Sequence, residues 1–225
     1  MGLFNTINAF IYTLIESQKI SSKMKVEGAD KFYDASQNWA KNLLIKAKIN
    51  VELSGSLYNK QQSYLIISNH SSYLDIPVLL ANLDLRFVIM YKKELEKIPF
   101  FGKGIALSPF ISVIRTSPRD AVKSLERANE LIKENISVLV FPEGTRTTNG
   151  KLNEFKKGAT RIAYKSQVDI LPVRINGTYD LMPKNSIKME SGKVVLDVKE
   201  PILYSEYCNL SENELLKKLQ NLLSN

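Results

Sequence analysis

The sequence predicts an α/β fold: a central, mostly parallel or mixed sheet flanked by helices, behind an amino-terminal appendage of two amphipathic helices. Three observations predict it. Short apolar runs such as Tyr64–Ile67 and Ile136–Phe141 read as strands buried on both faces of a sheet. Segments with 3.6-residue periodicity alternate with them, as in sheet domains covered by helices. Residues 1–48 carry helical spacing only. The expected organisation is therefore residues 1–48 as an amphipathic helical membrane-interface anchor and residues 49–225 as the α/β domain.

Taken in order, Leu3, Phe4, Ile7, Phe10, Ile11, Leu14 and Ile15 share one helical face. The run is interrupted by Asn5, Thr6, Asn8 and Thr13, and a bilayer span needs roughly 20 mostly apolar residues. It lacks the basic front end of a secretory signal. A second face follows in Phe32, Ala35, Trp39, Leu43 and Ala47. Residues 1–48 hold seven lysines against four acids. Two such helices suit a hairpin lying in a membrane interface, or helices packed on the core, and periodicity does not separate the two.

Beyond residue 48, Ile49, Val51 and Leu53 alternate with polar residues, as in a half-buried strand. Ile76–Leu83 reads as a helix with Pro77 in its first turn, and Arg86–Met90 and Ser112–Ile114 as strands. Ala121, Leu125, Ala128 and Leu131 lie on one face of a helix ending near Lys133. Lys156–Lys165 is helical, and Ile170–Ile175 and Val194–Val198 are strands. Ser211 and Glu214 form a capping box opening the last helix.

The chain has 225 residues, with 31 basic against 23 acidic side chains and a formal charge of +8. Such an excess suits nucleic acid, an anionic membrane or a phosphate-bearing substrate. A nucleic-acid module would show clustered Lys/Arg with interleaved aromatics or a helix-turn-helix, and neither pattern is present. The single cysteine, Cys208, excludes an intramolecular disulfide and a four-cysteine or Cys/His zinc site, and no metal ligands are expected. A serine hydrolase is disfavoured because there is no G-x-S-x-G elbow.

Chemistry concentrates in two stretches. The only histidine, His70, lies in SNHSSYLD (68–75), five positions before Asp75. On a continuous helix that spacing turns the side chains apart by roughly 140°. On a strand it sends them to opposite faces. They meet only if the chain bends, and Ser71-Ser72 before a helix start supplies the bend. An Asp-oriented imidazole is a general base, whereas the same residues in the bland reading merely cap the helix. The second stretch, FPEGTRT (141–147), follows a buried strand that Pro142 ends. Gly144 permits close backbone approach, Arg146 offers a forked cationic donor suited to phosphate, and Glu143 can orient that arginine or bind a hydroxyl. Arg115 and Lys92, at element ends, are the other candidates for an anion clamp.

NHSSYLD (69–75), ISVIR (111–115), FPEGTRT (141–147) and ILPVRING (170–177) together resemble the four ordered motif blocks of the glycerophospholipid acyltransferases, in particular the 1-acyl-sn-glycerol-3-phosphate (lysophosphatidic acid) acyltransferases. YKKELEKIPFFGKG (91–104) is similar to the family's lysine-bearing segment. The resemblance spans about Trp39 to Ile202. It implies acyl transfer from acyl-carrier protein or acyl-coenzyme A to the sn-2 hydroxyl of lysophosphatidic acid, without a further cofactor or an acyl-enzyme. By position, His70 is the base and Asp75 its partner. Arg115, Glu143, Gly144, Thr145, Arg146 and Lys92 match glycerol-phosphate-binding positions, and Pro172 and Val173 shape the acyl pocket. Backbone amides near Gly144, or at the helix start after His70, are the expected donors to the thioester oxyanion. The second block departs from the family by reading PFISVIR where a Gly and a Phe usually precede Ile-x-Arg, which leaves glycerol-3-phosphate or a lyso-ornithine lipid as alternative acceptors. The amino-terminal pair resembles the family's two-helix interfacial anchor. The implied location is the cytoplasmic face of a bacterial inner membrane, bound without crossing it. Anionic lipid and acidic acyl-carrier protein are partners that suit the charge, and nucleic acid is not.

Overall fold

A computed structural model of the chain describes residues 2–99, 101–114 and 117–224. Helices α1 (Gly2–Glu27) and α2 (Ala29–Ala47) form an antiparallel hairpin about Gly28, whose φ of 84° suits glycine. The sheet strands are β1 (Ile49–Gly55), β2 (Leu65–Ser68), β3 (Phe87–Lys92), β4 (Ile111–Val113), β5 (Ser137–Val140), β6 (Ile170–Asn176) and β7 (Gly192–Val198). Between and after them lie α3 (Asp75–Asn82), a 3-10 turn at Lys93–Lys97, α4 (Phe101–Ala106), α5 (Pro118–Lys133), α6 (Gly158–Ser166), α7 (Thr178–Leu181), α8 (Tyr204–Tyr207) and α9 (Glu212–Ser224).

The seven strands are ordered β1-β7-β6-β2-β5-β3-β4. Strands β6, β2, β5, β3 and β4 are mutually parallel, and β7 pairs antiparallel with β6 while running parallel to β1. The sheet is thus mixed and mostly parallel, as expected. Period-two alternation divides its side chains between two cores. Ile66, Phe87, Ile89, Leu139, Leu171 and Val173 join Val78 and Leu79 of α3 and Ala40, Leu43, Leu44 and Ala47 of α2. On the other face Leu65, Ile67, Val88, Val138 and Ile170 join Ala128 and Leu131 of α5, Ile162 of α6 and Leu215 and Leu219 of α9. One face of α2 is thus part of the core, while α1 packs on α2 and α4.

Local chemistry sets the helix ends. Ser117 caps α5, its Oγ accepting from the Asp120 amide, with Pro118 in the first turn. The expected capping box forms at α9: the Ser211 amide donates to Glu214 Oε2 at 2.7 Å and the Glu214 amide to Ser211 Oγ at 3.3 Å. The elements that periodicity missed (the 3-10 turn, α4, α7 and α8) span four to six residues each, too few to express a helical period.

This topology positions the site. The chain leaves β2 toward the face covered by α3 and leaves β5 toward the face covered by α6. Strands β2 and β5 are neighbours, so a crevice opens between their carboxyl ends, where α/β sheets bind ligands. His70 follows β2 and FPEGTRT follows β5, on either side of that crevice.

Candidate active site

The bend between His70 and Asp75 is real and has a defined structure. Asp75 opens α3 and is wholly buried, at 0% exposure. Its Oδ2 lies 2.8 Å from His70 Nδ1 and accepts the backbone amides of Ser71 at 2.7 Å and Ser72 at 2.9 Å. Its Oδ1 accepts the Thr178 hydroxyl at 2.6 Å. Four donors around one buried carboxylate leave neither of its oxygens without a partner. Because Asp75 accepts, Nδ1 of His70 carries the hydrogen, and the lone pair on Nε2 is available to take a proton. The ring stacks on Phe141, centroids 4.0 Å apart and 16° from parallel, which fixes its plane.

The two serines make this turn. Beyond their amides, Ser72 Oγ donates to the Met182 carbonyl at 2.7 Å and accepts the Leu74 amide at 3.1 Å. Asn69, just before His70, clamps β2 to β6 by donating to the Ile175 carbonyl and accepting the Ile175 amide.

Glu143 is placed differently from a residue that touches the glycerol phosphate. It is 2% exposed, and its carboxylate accepts the His70 amide at 2.6 Å and the Asn153 amide at 2.8 Å. It is turned into the protein because a buried carboxylate needs donors, and the strand-end backbone supplies them. Burial pushes the Glu143 carboxyl above the usual carboxylate range, against the lowering effect of these amides. The Thr147 amide donates to the His70 carbonyl at 2.9 Å, so both backbone polar groups of His70 are tied to the 141–147 segment.

The rest of that segment forms a cationic loop. The guanidinium carbon of Arg146 lies 3.5 Å from the centroid of the Tyr73 ring, and its buried Nη1 has no hydrogen-bond partner among the described residues. A guanidinium with unspent donors is ready to receive an oxyanion. Gly144 has φ of 67°, and a Cβ there would sit 3.3 Å from Lys156 Nζ. Lys184 Nζ donates to Thr145 Oγ1 at 3.1 Å. Lys92 is exposed at the carboxyl end of β3, on the same sheet edge, 3.3 Å from Glu94. Arg115 lies outside the described residues.

The expected oxyanion donors are largely committed elsewhere. The Gly144 amide donates to the Phe141 carbonyl at 3.0 Å, and the Ser71 and Ser72 amides are spent on Asp75. Those three are unavailable to a thioester oxygen, because in this turn and loop they satisfy the protein itself.

Sequence reasoning missed Thr178, Asn69, Asn153, Lys156 and Lys184. Thr178 is 103 positions from Asp75, and no local pattern links them. Lys156 sits beside the FPEGTRT loop, in EFKKG (154–158), and a search for cations flanking that loop would have found it.

A His–Asp pair and a cationic loop thus face each other across the carboxyl-edge crevice of an α/β sheet. Comparison with known proteins gives the chain a family. The family model described as Acyltransferase matches residues 48–176, and the chain belongs to that family. It is similar to the chloroplastic 1-acyl-sn-glycerol-3-phosphate acyltransferase LPAT1 of Arabidopsis thaliana, 34% identical over 176 residues, or 76% of this chain and 49% of that protein. It is likewise similar to 1-acyl-sn-glycerol-3-phosphate acyltransferase alpha of Homo sapiens, 33% identical over 156 residues, or 68% of this chain and 55% of that protein. The chain therefore spans about half the length of these curated relatives. Among solved structures, the 1-acyl-sn-glycerophosphate (LPA) acyltransferase PlsC from Thermotoga maritima superimposes with a TM-score of 0.84 at 27% identity, covering 99% of this chain and 93% of that one.

Proposed function

We propose that this chain transfers a fatty acyl group from an acyl thioester, carried by acyl-carrier protein or coenzyme A, to the sn-2 hydroxyl of 1-acyl-glycerol-3-phosphate, giving phosphatidic acid. The observation that carries this reading is the His70–Asp75 pair at 2.8 Å, set across the crevice from the loop bearing Arg146 with its partnerless buried Nη1. The names of the relatives support the acceptor. His70 Nε2 takes the hydroxyl proton as the acceptor oxygen attacks the thioester carbonyl. The tetrahedral intermediate collapses, the C–S bond breaks, and the departing thiolate takes the proton back from the imidazolium, leaving free thiol and ester. Asp75 holds the tautomer and stabilises the imidazolium. Arg146, with Lys156 and Lys184 beside it, meets the acceptor phosphate, and no further cofactor takes part. The test is product formation by the purified protein from labelled acyl thioester, offered lysophosphatidic acid, glycerol-3-phosphate and a lyso-ornithine lipid in parallel. No phosphatidic acid from the first would overturn the reading.

Arg146→Ala should raise KM for lysophosphatidic acid by about 10–100-fold while leaving KM for the thioester nearly unchanged, since a charge-assisted phosphate contact is worth about 1.5–3 kcal/mol. Steady-state kinetics in both substrates checks it. Unchanged turnover of lysophosphatidic acid at low concentration would contradict the clamp.

Within the anchor expected over residues 1–48, the outer face of α1 is proposed to lie in the membrane interface, while α2 packs into the core. No helix among the described residues is long and apolar enough to cross a membrane. Yet α1 leaves Ile7, Phe10, Ile11 and Ile15 between 48% and 58% exposed on one helical face. An apolar stripe of that kind, on a chain of net charge +8, suits an anionic lipid surface and the cytoplasmic leaflet of a bacterial inner membrane. Phe10→Asp combined with Ile11→Asp should weaken partition into anionic vesicles by about 100-fold, because each side chain is only about half exposed and its remaining burial contributes about half of the roughly 1.5–3 kcal/mol for a whole apolar side chain. Both sites are exposed, so the fold should persist. Co-sedimentation equal to that of the unaltered protein would defeat the assignment.

A further inference from the structure

We infer that Thr178 is a positioning residue for the reaction, holding Asp75 in the orientation that aims His70 at the acceptor hydroxyl. The inference rests on the reading of His70 as the base, and goes beyond it to a residue outside both catalytic motifs. Asp75 Oδ2 is crowded with the His70 ring and the Ser71 and Ser72 amides. Among the described residues, Oδ1 accepts from one group only, the Thr178 hydroxyl at 2.6 Å. Three donors on one oxygen fix where that oxygen sits. The Thr178 bond holds the other oxygen, so the carboxylate is gripped at both ends.

The hydroxyl is itself held. Thr178 is fully buried, and its Oγ1 lies 3.3 Å from Ser71 Oγ. With Ser71 as donor in that contact, the Thr178 hydrogen is directed to Asp75. The backbone delivers the side chain through two devices. Asn69 bonds both polar groups of Ile175, joining the end of β2 to the end of β6. Gly177, at φ of 98°, then turns the chain back, and a Cβ there would meet the Lys193 carbonyl at 2.7 Å. Thr178 is thereby carried from the end of β6 to the far side of the carboxylate from His70.

Loss of the hydroxyl should act on chemistry, not on binding, because Thr178 touches neither substrate in the proposed arrangement. Thr178→Val keeps the shape and removes the donor, and Thr178→Ser keeps the donor. In the purified full chain, Thr178→Val is expected to lower kcat by about 10–100-fold with both KM values changed less than about 2-fold, since small misplacements of catalytic groups cost up to about 10²-fold. Thr178→Ser should recover most of the rate. Should the valine protein fail to fold, Thr178→Ala against Thr178→Ser makes the same comparison, with thermal melting of each recorded. A Val or Ala variant with unaltered kcat, a Ser variant no better than it, or an effect confined to KM would overturn the inference. His70→Ala is assayed alongside: if it stays active, the functional reading has failed, and if it is inactive while Thr178→Val turns over normally, only the role of Thr178 has.

Discussion

His70→Ala is expected to lower turnover of lysophosphatidic acid by about 10³-fold, the middle of the 10²–10⁴-fold range for a positioned general base. The acceptor hydroxyl ionises far above neutral pH, so without a base on the protein its oxygen must attack as the neutral alcohol. Nothing else described in the crevice replaces that base. Glu143 faces away into the backbone, Asp75 is buried behind the ring, and Cys208 is remote in sequence on the α8 segment. KM for lysophosphatidic acid should stay within about 3-fold, because in the proposed arrangement the arginine loop holds the phosphate and a lost interaction made only in the transition state lowers kcat alone. The imidazole also packs on Phe141, so a melting curve must accompany the kinetics. Release of free thiol followed with time checks the prediction, and wild-type turnover in a folded alanine variant would remove His70 from the mechanism.

The pairing of this histidine with Asp75 was only partly legible in the sequence. The five-residue spacing to Asp75 demanded a bend, and Ser71-Ser72 marked its place. What the bend does chemically was not legible: its two amides point inward and hold the carboxylate. The same limit appears at Glu143. A carboxylate beside an arginine in a loop reads as a ligand for substrate or for that arginine, and sequence carries no record of which way a strand-end side chain turns.

At the level of the fold, elements with strong local signals were readable. Leu65–Ile67 and Val138–Leu139 are buried on both sides, as continuous apolar runs should be, and Ser211 and Glu214 cap α9 reciprocally. Long-range pairing was not readable. Strand β1 pairs with β7, placing Val51 opposite Val194, and this pair of strands runs against the other five. Its partners are separated by most of the domain, and either direction satisfies the same alternation of side chains. The arrival of Thr178 at Asp75 depends on that unreadable part, because β6 must lie beside β2 first.

Glu143→Gln should act on stability and rate together. The native site requires two acceptors, one for the His70 amide and one for the Asn153 amide. Glutamine supplies one acceptor and one NH₂, so a donor faces a donor in a buried position. The expected cost is about 2 kcal/mol, within the range for one unsatisfied buried polar group. In a chain of this size that lowers Tm by roughly 4–8 °C. Burial raises the Glu143 carboxyl above its ordinary value, so the folded state holds this proton more tightly than the unfolded chain. Its contribution to stability is therefore fully present below the ordinary carboxylate range and is lost as pH rises through the raised value. Glutamine cannot titrate, so the gap in stability between the two proteins should be widest in acid and narrow as pH rises. Turnover should fall about 10-fold as the backbone of His70 relaxes away from its place, within the loss of up to about 10²-fold that a shift near 1 Å produces. Thermal melts across the acid range and kinetics at neutral pH measure both effects. An unchanged Tm with a raised KM for the acceptor would instead put Glu143 on the substrate, the role its sequence motif suggested. Loss of Tm and kcat together, with KM retained, identifies it as the brace beneath His70.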